Sequence, residues 1–160
     1  MGFAYAWQDI VYSSTIMKST LIDERLVEHT VFGLGEEHPI QVMVQDPVPA
    51  DSTVTFDMHY ELEMGIVLEG TMIRYAGNSR RTCSAGDVWF CGMWEPHGYR
   101  GDAACRRAVI AIWPPALASL RFPEARHINW MQPFIISPER RPVIPDELRD
   151  EVTSLVNHHI

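Results

Sequence analysis

Hydrophobic residues along this chain come in short runs, rich in β-branched and aromatic side chains and separated by turn-forming residues. This pattern predicts short strands rather than long helices. The predicted strands cover residues 26–32, 40–44, 54–60, 63–68, 72–75, 80–83 and 88–91, another that begins at Tyr99, and a fully buried one at 108–113. Turns containing glycine fall between them, most clearly at 76–79 and 85–87. Many short strands without intervening helices are typical of a β-barrel or sandwich.

A helical pattern appears only after the Pro114-Pro115 pair. Residues 116–120 are predicted to form one or two helical turns. Further on, Pro145 followed by two acidic residues predicts the start of a helix, since proline suits the first turn and acids favour the positive helix end. Four apolar residues then form one stripe, namely Leu148, Val152, Leu155 and Val156. The stripe is expected to pack against either the chain's own barrel or a partner subunit, and the sequence leaves both open.

The length of 160 residues suits one well-packed domain. We expect an N-terminal arm or leading strand at 1–25, a barrel at 26–114 and a C-terminal helical and dimerisation segment at 115–160. Against 13 basic residues stand 21 acidic ones, a net charge of −8. That balance disfavours a nucleic-acid surface on this chain, because such affinity depends largely on lysine and arginine. The pairs at 80–81 and 106–107 are interpreted as solvated arginines at strand ends.

The three cysteines, Cys83, Cys91 and Cys105, form no CxxC pair and are expected to be small apolar packing residues. Their number and spacing favour a reducing compartment. No secretory signal pattern is visible at the N-terminus, and no run approaches the ~20 apolar residues that a membrane span needs. The sequence therefore predicts a cytoplasmic protein with no membrane partner.

Candidate chemistry concentrates in residues 57–63, where Asp57, His59, Glu61 and Glu63 alternate with apolar residues. On an unbroken strand these four side chains would share a face, whereas a turn after His59 would sort them differently. With His97 from a later strand, they form a ligand set suited to one divalent transition metal: iron(II), manganese, nickel or zinc. The alternative is that both histidines are hydrogen-bonded inside the barrel or hold an organic ligand without metal. Glu61 is expected to be solvated or paired.

The spacing of these residues resembles the two motifs of the cupin superfamily. The first motif is His-x-His, a glutamate four residues later and a glycine seven further on. This chain has His59, Glu63 and Gly70 at those positions, with Asp57 in place of the first histidine. The second motif runs from a glycine to a histidine eleven residues later, as residues 86–97 do, although its usual proline and glycine are replaced. The resemblance implies a mainly β fold, a cupin (double-stranded β-helix or jelly-roll) barrel with one or two C-terminal helices.

Three segments, 61–70, 85–90 and 95–100, further resemble the sensing domain of AraC-type transcription regulators, and the region 122–157 is similar to the segment that leads into that family's dimerisation helices. The resemblance implies a barrel that holds a small-molecule effector, a sugar, a small organic acid or an aromatic compound. It also implies a homodimer formed through the C-terminal helix, and DNA contact only through a helix-turn-helix part that this chain does not contain. We expect the chain to be a piece of a longer regulator rather than a stand-alone relative.

The leading hypothesis is therefore a non-enzymatic sensing and dimerisation module with no catalytic residue. Its expected ligand-binding residues are Asp57, His59, Glu63, Trp89, His97 and Tyr99, and the metal ligands among them would be His59, Glu63, His97 and Asp57. Trp94 and Trp113 are also interpreted as core or pocket-wall aromatics. The alternative is a metal-dependent cupin enzyme, a dioxygenase or isomerase that uses His59, His97 and Glu63. A third hypothesis is a stand-alone barrel that binds a sugar or small acid without chemistry.

Overall fold

The structure, a computed structural model, describes residues 27–46, 54–101 and 104–158. The predicted arm at 1–25 lies outside these residues. The strands are β1 (Val27–His29), β2 (Ile40–Gln45), β3 (Thr55–Met58), β4 (Leu62–Glu69), β5 (Thr71–Ala76), β6 (Ser79–Ser84), β7 (Val88–Cys91), β8 (His97–Gly101) and β9 (Arg106–Ile112). The helices are α1 (Pro114–Ser119), α2 (Gln132–Ile135) and α3 (Arg149–Asn157), with three single 3₁₀ turns at Pro123–Ala125, Pro138–Arg140 and Asp146–Leu148.

The strands form two sheets. One has five strands in the order β1-β3-β8-β5-β6, and the other has four in the order β2-β9-β4-β7. Neighbouring strands run antiparallel except for β1 and β3, which are parallel. Residues from both sheets meet in one buried cluster made of Val67, Met72, Cys83, Trp89, Cys91, Cys105 and Val109. The mainly β fold class is thus confirmed, with a core enclosed between two sheets.

Three glycines explain how the chain turns so tightly between strands. Gly77 has a φ of +52° in the two-residue loop that joins β5 to β6, as the predicted hairpin requires. Gly70 and Gly86 have φ values of +73° and +84°. A Cβ on Gly70 would also lie 2.7 Å from the carbonyl oxygen of Ala104. The two motif glycines are therefore needed both for backbone conformation and, at Gly70, for close approach.

Strands β4, β7 and β9 of the four-stranded sheet are buried on both faces, whereas β2 at its edge is largely exposed. The inner face of the sheet contributes Val67, Trp89, Cys91 and Val109 to the cluster between the sheets. Its outer face forms a second cluster of Ile66, Leu68, Val88 and Ala108, covered by Ile144, Val152 and Val156. This double burial explains why the segments 88–91 and 108–113 read as continuous apolar runs rather than alternating ones.

The C-terminal stripe is divided between two environments. Val152 and Val156 of α3 pack on the outer face of the chain's own sheet. Leu148 and Leu155 remain 43% and 56% exposed. An ion pair of 3.1 Å between Arg149 and Asp87 ties the start of α3 to the turn before β7. Part of the stripe thus stabilises the barrel itself.

Several predicted boundaries are wrong in instructive ways. The strand predicted at 54–60 ends at Met58, because the chain leaves one sheet at residues 59–61 and enters the other. Of the strand predicted at 26–32, only Val27–His29 forms a strand among the described residues. Strand β8 begins at His97 rather than at Tyr99. Helix α1 begins at Pro114, two residues before its predicted start, and the short helix α2 was not predicted.

Among the described residues, no helix combines the length and the hydropathy that crossing a bilayer would require.

Candidate metal and ligand site

The break between β3 and β4 sorts the acidic and histidine side chains of residues 57–63. Asp57 lies on β3 in the five-stranded sheet, whereas Glu63 lies on β4 in the four-stranded sheet. His59 lies in the connection between them, and His97 begins β8 directly opposite Asp57. The two carboxylates therefore approach each other from opposite walls, with the histidines between them.

Hydrogen bonds to the backbone orient both imidazole rings. Nδ1 of His59 lies 2.9 Å from the carbonyl oxygen of Glu61, and Nδ1 of His97 lies 2.7 Å from that of Glu95. Because a carbonyl oxygen only accepts hydrogen bonds, Nδ1 carries the proton in each ring and donates it. In the neutral ring, Nε2 is then left with a lone pair. Both Nε2 atoms are buried and complete no aligned hydrogen bond with any described group. Metal-binding histidines have this arrangement, in which one nitrogen is fixed and the other is available.

The candidate donor atoms lie at separations that fit a single ion. Nε2 of His97 is 3.1 Å from Asp57 Oδ1 and 3.3 Å from Glu63 Oε2, and Nε2 of His59 is 3.7 Å from the same Glu63 oxygen. Ligands bound at roughly 2.0–2.2 Å to one ion are themselves roughly 3–4 Å apart. His59, His97 and the two carboxylates therefore include sets that fit a divalent metal: the donor atoms of Asp57, His59 and His97 all lie within 4.8 Å of one another.

The two oxygens of Glu63 have different surroundings. Oε2 faces the histidines, whereas Oε1 accepts hydrogen bonds from Trp89 Nε1 at 2.7 Å and from an Arg74 nitrogen at 3.0 Å. Gly65 makes this possible, because a Cβ there would lie 2.0 Å from the Trp89 ring. Glu63 is thus held in one orientation, with Oε2 directed at His59 and His97.

Charge complementarity shifts the pKa values of two of these groups. Burial raises the pKa of Glu63, but the neighbouring His97 and Arg74 outweigh it and hold that pKa well below the usual value. Burial likewise lowers the pKa of His97, yet the adjacent Cys91 and Glu63 raise it well above its usual value. Glu63 is therefore an ionised carboxylate within a buried network of mutually attracting groups.

Two residues of this network were not predicted from the sequence. Arg74 is 8% exposed and bonds both Glu63 and, at 3.0 Å, the sulfur of Cys91. The donor atoms of Cys91, Glu63 and His97 lie within 4.8 Å of one another, so Cys91 is a further candidate ligand. The expectation that Cys91 is only an apolar packing residue is therefore incomplete. Its pairing directly opposite Glu63 depends on the register of β4 and β7, which the sequence alone does not give.

Two acidic residues beside the histidines are placed differently from each other. The side chain of Asp57 is 33% exposed, and its second oxygen accepts a hydrogen bond from Thr30 Oγ1 at 3.2 Å. Glu61 is 4% exposed, and its carboxylate lies 3.9 Å from Nδ1 of His59. Of the two alternatives predicted for Glu61, solvated or paired, the structure shows the second.

The donor atoms open onto a cavity of about 250 Å³ between the sheets. Trp89 and Tyr99 line it, as predicted, together with Arg74 and Arg107. Arg107 is 2% exposed, so the expectation of a solvated arginine pair at 106–107 is wrong for this residue. Alternation along β9 explains the error, because neighbouring residues of a strand face opposite sides.

Trp94 and Trp113 are also interpreted as core or pocket-wall residues, but the described lining of this cavity includes neither of them. Trp113 is half-buried. Trp94 is 55% exposed and has a φ of +56° at the position where the cupin motif has glycine. Its backbone N–H donates to the carbonyl oxygen of His59 at 2.7 Å. The interpretation of Trp94 as a buried aromatic is wrong, and its backbone rather than its ring supports the site.

No protein-family model matches this chain, and no curated protein matches it. Similar solved structures include a mutant of the oxalate decarboxylase from Bacillus subtilis, with 12% identity, a TM-score of 0.42 and coverage of 54% of this chain and 23% of that one. A cupin 2 conserved barrel domain protein from Salinispora arenicola shows 17% identity and a TM-score of 0.41 over 59% of this chain and 72% of that one. A predicted oxalate decarboxylase from Thermotoga maritima shows 20% identity and a TM-score of 0.36 over 46% of this chain and 64% of that one.

This chain thus spans about a quarter of the length of the Bacillus subtilis protein. Its own structure has the two facing sheets, the motif glycines at the turns and the motif histidines and glutamate between the sheets. The chain has the cupin fold, a β-barrel followed by a C-terminal helix. Its donor groups are suited to holding a metal ion.

Proposed function

We propose that this protein is a small-molecule-sensing domain whose barrel binds a divalent transition metal and, beside it, a small effector. The observation that carries the proposal is the pair of buried Nε2 atoms of His59 and His97, both fixed through Nδ1 and both without a described hydrogen-bond partner. They face the same oxygen of Glu63 and lie next to a cavity. A metal held there would supply a Lewis acid for oxygen atoms of the effector.

A sensor also needs a connection between its ligand site and the part that responds. Arg141 supplies a candidate connection. It forms an ion pair with the carboxylate of Glu95 and donates to the carbonyl oxygen of Phe90 at 2.6 Å. The backbone of Glu95 in turn orients His97. The C-terminal segment is therefore fastened to the loop that positions one of the candidate metal ligands.

The resemblance to AraC-type sensing domains indicates what the response would be. The arrangement of the dimer would change, and a DNA-binding part of the regulator would respond to that change. The exposed Leu148 and Leu155 on α3 are the residues that we expect to meet a second copy. Sedimentation velocity of the wild type and of a Leu148→Glu/Leu155→Glu double variant tests this. A dimer that the variant loses supports the proposal, whereas a monomeric wild type over its soluble concentration range contradicts it.

Metal analysis tests the central claim. Protein purified without chelator is dialysed against zinc, nickel, manganese or iron(II), and the bound metal is measured by mass spectrometry. We expect about one ion per chain in the wild type and in His127→Ala, whose exposed histidine lies outside the cluster, and its loss in His97→Ala. Equal metal content in His97→Ala and the wild type would contradict the site.

Hydrogen exchange tests the connection. Metal binding is expected to slow amide exchange in residues 87–97 and also in residues 138–149, which contact them through Arg141 and Arg149. The variant Arg141→Met should confine the protection to the barrel. Protection limited to the barrel in the wild type would remove the basis for a sensing role.

The second candidate function is a metal-dependent enzyme. It is favoured by one observation, two histidines around one carboxylate, with Glu63 and His97 at the wall of a cavity, a donor set that non-haem iron oxygenases also use. Oxygen consumption or substrate conversion by the iron-loaded wild type, lost in His97→Ala, would establish it. Stoichiometric metal without turnover supports the sensing role instead.

A further inference from the structure

We propose that the effector of this barrel is a small organic acid and that Arg107 binds its carboxylate. This inference rests on the proposed function, because it names the chemical class of the ligand that the cavity takes. The sequence alone also allows neutral effectors such as sugars, whereas this inference restricts the effector to anions. The environment of one arginine on β9 supports this assignment.

Arg107 is a buried charge whose guanidinium lacks an acidic partner among the described residues. It is 2% exposed, and its NH1 atom is buried with no hydrogen-bond partner in the part of the chain that the structure describes. The other buried arginine of the described chain, Arg74, pairs with Glu63 at 3.0 Å. The neighbouring Arg106 points to the other face and lies 3.6 Å from Glu69. Burying an arginine without a counter-charge is strongly unfavourable, so this guanidinium is suited to binding an anionic ligand.

The guanidinium of Arg107 is held in a defined orientation. Its central carbon lies 3.7 Å from the centre of the Tyr99 ring, a close cation–π contact. Stacking of this kind leaves the N–H groups at the edge of the guanidinium available. A planar guanidinium edge matches the two oxygens of a carboxylate, which accept parallel hydrogen bonds from it. Tyr99 therefore positions Arg107 for bidentate binding.

The cavity places this guanidinium with the candidate metal ligands. Arg107 lines the same space of about 250 Å³ as Asp57, Glu63 and His97. That volume corresponds to on the order of eight water-sized groups, since a water occupies about 30 Å³ of the liquid. A small acid fits such a space, with its carboxylate on Arg107 and a second oxygen-bearing group directed to the histidines.

The charge balance around the cavity points to the same class of ligand. With His97 neutral, as a metal ligand must be, the charged groups of the described lining are two carboxylates, Asp57 and Glu63, and two guanidiniums, Arg74 and Arg107, which cancel. A divalent metal would add two positive charges. The cavity would then carry an excess of positive charge inside a chain whose net charge is −8, so an anionic ligand completes it where a neutral one does not.

A melting-temperature screen of the metal-loaded protein tests the proposal. The probes are oxalate, malonate, succinate, pyruvate, 2-oxoglutarate and benzoate, each compared with its uncharged amide or alcohol analogue and with pentoses, in a buffer without carboxylates. A ligand at about 100 times its Kd should raise the Tm by about 5–10 °C. We expect at least one acid to do so and its amide not to. Stabilisation by pentoses or amides but by no acid would overturn the proposal.

Variants assign the effect to the guanidinium. Arg107→Met should weaken binding of the best acid at least tenfold by calorimetry, because a charge-assisted hydrogen bond is lost, and Arg107→Lys should weaken it less. The matched control Arg106→Met changes the adjacent arginine on the opposite face and should bind as the wild type does. Arg107→Met should also raise the Tm of the ligand-free protein, since it removes an unpaired buried charge. Unchanged acid affinity in both Arg107 variants would overturn the proposal.

Metal content separates this inference from the proposed function. Arg107→Met should retain the metal, since Arg107 belongs to neither cluster of candidate donors. Acid binding that depends on Arg107 in a protein without metal would support the inference and remove the metal from the proposed function. If the metal-loaded protein binds none of the acids, the metal site is still supported and the inference is overturned.

Discussion

At the scale of single residues, the candidate site depends on side chains that hydrogen-bond to the candidate ligands and fix their orientation. Glu63 illustrates this, because the atoms that fix it, Trp89 Nε1 and the Arg74 guanidinium, bind the oxygen that faces away from the histidines. Sequence spacing identified Glu63 and the two histidines but neither the arginine nor the thiol of Cys91. Their roles arise from pairing between distant strands, such as Glu63 opposite Cys91, and spacing within one segment carries no record of that pairing.

The hydrogen bond from Trp89 to Glu63 gives the first prediction. Trp89→Phe keeps an aromatic ring but removes the donor, so a buried carboxylate loses one of its partners. We expect a loss of about 1.5–3 kcal/mol in the free energy of unfolding and a metal affinity about 10–100 times weaker. Urea denaturation and metal titration measure the two effects. Trp94→Phe, at an exposed ring, serves as the control and should change neither; equal effects of the two variants would contradict the role of Trp89.

The left-handed backbone at Trp94 gives the second prediction. A residue with a Cβ at a φ of +56° is strained by about 1 kcal/mol relative to glycine, and this side chain is more than half exposed. Trp94→Gly should therefore be more stable than Trp94→Ala by about 1 kcal/mol, because both lose the ring but only glycine relieves the backbone. Thermal unfolding of the two variants compares them directly. Equal stabilities would show that the strain is absent.

At the scale of elements, the strands of the barrel were predictable and their ends were not. Strand β7 matches its prediction at both ends, because Gly86 and the apolar run mark it locally. The end of β3 was missed, since the chain leaves that strand to place Glu63 in the other sheet, and alternation along the sequence continues through the break. Arg107 was misjudged for a related reason, as neither its face of β9 nor the absence of an acidic neighbour is encoded locally.

The C-terminal segment is fastened to the barrel by an ion pair that gives the third prediction. The side chains of Arg141 and Glu95 are only 8% and 15% exposed, so removing one partner leaves a largely buried charge. Arg141→Met is expected to cost about 3–5 kcal/mol in the free energy of unfolding. The exposed neighbour Arg140→Met should stay within about 0.5 kcal/mol of the wild type. Chemical denaturation of both variants decides whether this contact anchors the segment.

At the scale of the whole molecule, one sheet separates the candidate site from the C-terminal helix. Its inner face carries Glu63, Trp89 and Cys91, and its outer face carries the cluster that packs on Val152 and Val156. Strand β7 contributes to both faces, as do β4 and β9. A shift of β7 would therefore reach both the candidate site and the cluster under α3 without any long chain of intermediates.

Metal binding should stabilise the whole fold, which is the fourth prediction. A ligand that binds only the native state at about 100 times its Kd adds about 2.7 kcal/mol, or about 5–10 °C in Tm for a chain of this size. Adding a chelator to the metal-loaded protein should lower its Tm by that amount, as measured by calorimetry. His97→Ala should melt at one temperature with and without chelator. A chelator effect of equal size in that variant would mean that the metal binds elsewhere.

The cysteines of the inner cluster have a practical consequence. Cys83, Cys91 and Cys105 are at most 1% exposed, and burial raises the pKa of the Cys83 thiol, so none is accessible to a reagent while the two sheets remain together. Alkylation of the native protein would therefore report how often the walls part. Its rate, followed by mass spectrometry for each cysteine separately, would measure the transient opening of the barrel without any introduced label.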